Sequence, residues 1–126
     1  MKRMLLVVSF LLCSFSVHAN LIGQWRANVD GMLLVVNYDN NRSFNGTLSH
    51  GGFYHFFQGD YNGPNFAMGT IKRTNLVTGC VTIMYTTFSI SLYQVVAQIN
   101  GTDGRCDLGS GFSSTVTYTR LTPPIY

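Results

Sequence analysis

The sequence predicts an all-β chain folded as a small antiparallel eight-stranded meander barrel, and three observations lead there. Helix signals are nearly absent: there is no glutamate, few alanines, and no long stretch in which apolar residues repeat at three and four. Runs rich in Val, Ile, Thr, Tyr and Phe recur instead at a spacing typical of short strands. The gaps between them carry Gly, Asn, Asp and Pro, which tolerate positive φ or bond to their own backbone, so neighbouring runs read as antiparallel hairpins. Eight runs fit the strand count of a small closed barrel, with a β-sandwich as the alternative.

In chain order, Lys2 and Arg3 precede an apolar run over 4–17 and the small-x-small triplet Val17-His18-Ala19, the three parts of a signal peptide. The run is shorter than the ~20 apolar residues of a transmembrane helix and is broken by Ser9, Ser14 and Ser16. Residues 1–19 are therefore expected to be removed on export, leaving 20–126 as a single β-barrel domain, secreted or periplasmic. Cys13 follows Leu11-Leu12 with no small residue before it, so lipid anchoring is not expected.

The predicted strands are 21–27, 31–38, 42–49, 53–61, 65–73, 80–87, 90–99 and 112–121. Turns are placed at Asp30-Gly31, Asp39-Asn40-Asn41, His50-Gly51-Gly52 and Asn62-Gly63-Pro64; one longer connection runs from Asn100 to about Gly111. Alternation is clean in Phe44/Gly46/Leu48 against Ser43/Asn45/Thr47, and in Val116/Tyr118 against Thr115/Thr117/Thr119, as a sheet with one dry face requires. It fails in Met32-Leu33-Leu34-Val35-Val36 and Phe53-Tyr54-His55-Phe56-Phe57, which are apolar on both faces. Such strands imply extra packing, an outer apolar patch or a filled cavity.

Losing Cys13 with the signal leaves Cys80 and Cys106, and an even pair in an exported chain points to one disulfide. Among the charged residues of 20–126, Arg26, Arg42, Lys72, Arg73, Arg105 and Arg120 nearly balance Asp30, Asp39, Asp60, Asp103 and Asp107. Within 20–126 the only adjacent basic pair is Lys72-Arg73, so no clustered basic face for nucleic acid is expected. Sequons at Asn41, Asn45 and Asn100 carry no functional weight in so Asn- and Thr-rich a chain.

No constellation for chemistry emerges. His50, His55 and Asp60 fall in one hairpin, but a histidine among aromatics reads as a packed residue. No Gly-x-Ser-x-Gly elbow occurs, every acid is an aspartate for which an Asx-turn role suffices, and no metal-ligand set is present. The expectation is a non-enzyme without cofactor or metal.

The first strand, Gly23-Gln24-Trp25, together with the ending Tyr118-Thr119-Arg120, resembles the calycin barrels: lipocalins, fatty-acid-binding proteins and avidins. Ser43-Phe44-Asn45-Gly46-Thr47 and 116–121 also resemble avidin strands. The resemblance implies that Trp25 closes one barrel end and that Arg120 stacks over it, a cation–π contact of about 0.5–2 kcal/mol. The chain departs from the avidin biotin cage in having one tryptophan and no matching aspartate, and it lacks the lipocalin Thr-Asp-Tyr. Biotin binding is therefore not implied.

Three functions remain. The first is non-covalent binding of a small apolar or planar ligand in the barrel, with Phe57, Tyr85 and Tyr93 as walls. The second is an inhibitor- or immunity-type module binding a protein partner through the aromatic hairpin 52–61. The third, an outer-membrane barrel, is opposed by Pro123-Pro124 and by polar Ser/Thr faces.

Overall fold

The computed structural model describes residues 20–123; the expected signal segment 1–19 lies outside the described residues. Eight strands follow one another: β1 (Gly23–Ala27), β2 (Leu33–Asp39), β3 (Ser43–His50), β4 (Phe53–Tyr61), β5 (Phe66–Asn75), β6 (Val81–Ile90), β7 (Gln94–Thr102) and β8 (Ser113–Arg120). Each pairs antiparallel with the next, and β8 returns to β1, closing the barrel. Closure leaves no unpaired sheet edge, and the sandwich alternative is set aside.

Strand positions follow the alternation and turn chemistry closely, and the differences have local causes. Residues 21 and 22, expected in the first strand, instead form a strap, with the Leu21 N–H donating to Asp39 Oδ2 at 2.8 Å. β6 runs on to Ile90 and β7 starts only at Gln94, because Ile90 pairs with Val95 and the Ser91 N–H donates to the Gln94 carbonyl at 2.8 Å. The long connection carries Cys106, disulfide-bonded to Cys80 across 26 residues.

Inward-facing side chains fill the barrel. Phe44 meets Phe88 edge-on at 5.2 Å between centroids, and Phe57 meets Tyr118 in the same manner at 5.7 Å. Phe44 fits because Gly59 faces it across the β3–β4 pair; a Cβ there would stand 2.5 Å from Cε1 of the ring. The space remaining among Leu21, Trp25, Phe44, Phe57, Phe88 and Tyr118 is about 10 Å³, room for about one water at most.

Candidate functional site

The two ends of the barrel are closed by different means. At the end where β2 and β4 finish, the strap 20–22 lies across the opening. Trp25, fully buried, donates its indole N–H to the Leu21 carbonyl at 2.9 Å, and Arg120 donates from Nη2 to the Asn20 carbonyl at 2.6 Å. The Arg120 guanidinium stands 4.4 Å from the Trp25 ring centroid. Asp39 Oδ2 also accepts from the Tyr61 hydroxyl at 2.7 Å, and burial together with that bond pushes the Tyr61 hydroxyl pKa well above its ordinary value.

At the other end, the disulfide holds the 103–112 connection over the opening. Arg73 donates to Asp107 Oδ1 at 2.8 Å and lies 3.7 Å from the Phe53 centroid. Thr82 Oγ1 donates to the Arg105 carbonyl at 3.1 Å. His55 faces inward opposite Arg73, and desolvation, reinforced by the nearby Arg73 charge, holds its pKa below the usual imidazole value. Its buried Nδ1 has no hydrogen-bond partner among the described residues, an arrangement suited to a neutral ring. Asp60 lies on the outer face of the same strand, opposite Met68, so the hairpin does not gather His50, His55 and Asp60 into one site.

The residues expected to form a ligand pocket do not share a face. Phe57 points inward and is 2% exposed, whereas Tyr85 and Tyr93 are 49% and 58% exposed. Placing these two tyrosines as cavity walls is corrected by the pleat of β6, which sends Thr82, Met84, Thr86 and Phe88 inward and Tyr85 outward, and by the β6–β7 turn, which carries Tyr93.

What the structure brings together is the outer face of β4, β5 and β6. Register sets Phe56 beside Lys72 and Lys72 beside Ile83; Tyr54 lies beside Thr74, Thr70 beside Tyr85, and Met68 beside Thr87. A shallow groove of about 340 Å³ is lined by Tyr54, Phe56, Lys72 and Thr74. A second, of about 270 Å³, includes Met68, Tyr85 and Asn100. Met68 is 53% exposed, and past Thr74 the β5–β6 turn presents Leu76 and Val77, the latter 89% exposed. Lys72 is exposed and makes no ion pair among the described residues.

Sequence alone does not mark Lys72 and Met68 as parts of one surface. The available signal was the two-sided apolar run 53–57: once Phe57 packs inward, Tyr54 and Phe56 must face out, and their cross-strand partners follow. Among the described residues no helix is long and apolar enough to cross a membrane, and no three His, Cys, Asp or Glu side chains are grouped to hold a metal ion. No protein-family model, curated protein or solved structure matches the chain.

Proposed function

We propose that this protein is an exported, calycin-like binding module that recognises a protein partner through the outer face of β4–β6 and acts without covalent chemistry. The observation that carries the reading is the contrast between a filled interior and an outer face bearing Tyr54, Phe56, Met68 and Tyr85. Tyr, Phe and Met are enriched where proteins meet, and such groups exposed on one face mark an interaction site. The closed sheet offers no edge for strand addition, so recognition falls to side chains. Export is supported by the Cys80–Cys106 disulfide, a bond that persists in oxidising compartments. The calycin-like assignment rests on eight-strand closure and on Arg120 over Trp25.

The small-ligand reading is less well supported, because about 10 Å³ falls far below the ~300 Å³ at which ligand pockets begin. The outer-membrane reading is less well supported because Asn45, Gln58, Lys72 and Gln98 interrupt the outward positions where a lipid band would lie.

The test is capture of a partner on the immobilised chain. A partner held by the wild type is expected to be lost with Phe56→Ser plus Tyr85→Ser and kept with Tyr93→Ser, all three melting alike. Stoichiometric uptake of an apolar fluorescent probe, abolished by Phe57→Ala but not by the outer-face pair, would move function into the barrel.

A further inference from the structure

Lys72 is out of keeping with the face it occupies. Its cross-strand neighbours are Phe56 and Ile83, and the groove beside it is otherwise lined by Tyr54, Phe56 and Thr74. Lysine is depleted at the core of protein interfaces, since an unpaired ammonium there must give up its water without compensation. The aspartates of the described residues do not compensate it. Asp107 bonds Arg73, Asp103 lies 3.8 Å from Arg105, and Asp39 is bound to the strap. Asp30 lies in the β1–β2 turn, and Asp60, opposite Met68, is four residues along β4 from Phe56, about 13 Å away at the rise of a strand.

A positive charge set among aromatic side chains and without a counter-ion among the described residues is complementary to a carboxylate carried next to an apolar group. From this we infer that the groove takes an acidic segment of the partner protein, an aspartate or glutamate adjoining an aromatic or aliphatic residue. This inference rests on the reading of the outer face as a protein-binding surface. The carboxylate meets the Lys72 ammonium, the neighbouring apolar side chain lies against Tyr54 and Phe56, and the Thr74 hydroxyl is placed at the groove wall for a polar contact. Tyr54, Phe56 and Ile83 then shield the pair from water, which strengthens it relative to an ion pair in open solvent.

The experiment is a titration of the isotope-labelled chain, followed through its backbone amides, with acetyl-Gly-Phe-Asp-Gly-amide and with its Asn counterpart. The Asp peptide is expected to shift the amides of Tyr54, Phe56, Lys72 and Thr74, with a Kd on the order of 1 mM. It should bind about three-fold tighter than the Asn peptide at low salt, with the gap closing near 1 M salt, where screening acts over ~3 Å. Lys72→Met should remove the gap while leaving the spectrum of the remaining residues in place. Equal shifts by both peptides at these amides would overturn the acidic partner and leave the aromatic face as the binding surface. The absence of shifts at about 10 mM peptide would also overturn it; the outer-face reading is then judged separately, by whether Phe56→Ser plus Tyr85→Ser still loses the captured partner.

Discussion

The strap end and the loop end close the same barrel with opposite economies. At the strap end, three residues suffice because their backbone groups are tied down in buried or half-buried surroundings: Leu21 N–H on Asp39, the buried indole N–H on the Leu21 carbonyl, Arg120 Nη2 on the Asn20 carbonyl. Such bonds are strong where water is excluded and leave little to gain from fraying. At the loop end, the connection contains Gly104, Gly109 and Gly111, and only Leu108 packs against the core. Its ion pair to Arg73 is wet, with the Asp107 side chain 65% exposed. A segment so poor in apolar burial does not offset its own ordering entropy, and the covalent tie through Cys106 supplies what packing does not. The same task is done by burial where the sequence provides Trp, Leu and Arg, and by a crosslink where it provides Gly, Ser and Asp.

Three perturbations sharpen this contrast, from the largest effect to the smallest. Trp25→Ala empties the strap end and should cost about 3–5 kcal/mol by denaturant titration, enough to unfold a marginal domain. If it costs less than the disulfide, the strap is not the principal closure. Replacing Cys80 and Cys106 together by Ala should cost about 2–4 kcal/mol while leaving the Trp25 emission maximum unchanged, because the released loop lies at the far end. A red shift on losing the disulfide would show that the two ends are coupled.

The smallest effect is a pH dependence confined to the loop end. Burial and Arg73 lower the His55 pKa in the fold, so the unfolded chain takes up a proton first as pH falls below the ordinary value of 6.5. Stability should be whole above that pH and decline as pH drops through the folded-state pKa of His55, and His55→Gln should flatten the profile. Asp107 serves as a control: its pKa is depressed by the Arg73 hydrogen bond, so its contribution is present above 3.8 and is lost only below that value. Melting curves of Asp107→Asn should therefore keep the His55 slope. A profile for His55→Gln identical to that of the wild type would place the titration elsewhere.

The eight strands follow from the chain alone, since period-two alternation and positive-φ turn residues are local properties; the turn signals on either side of 53–61 delimit β4 to the residue. The chain also reduces the cysteines of 20–126 to a single possible pair. Which way each ambiguous strand faces was decided only by the tertiary structure. In Thr82-Ile83-Met84-Tyr85-Thr86 both faces carry bulk, so the alternation has no preferred phase until the pairing of Tyr85 with Thr70 fixes it. For the same reason the meeting of Lys72 with Phe56 and Ile83, and the filling of the interior to about 10 Å³, were not legible in the chain: register and volume are set by all eight strands at once, while a sequence window sees one.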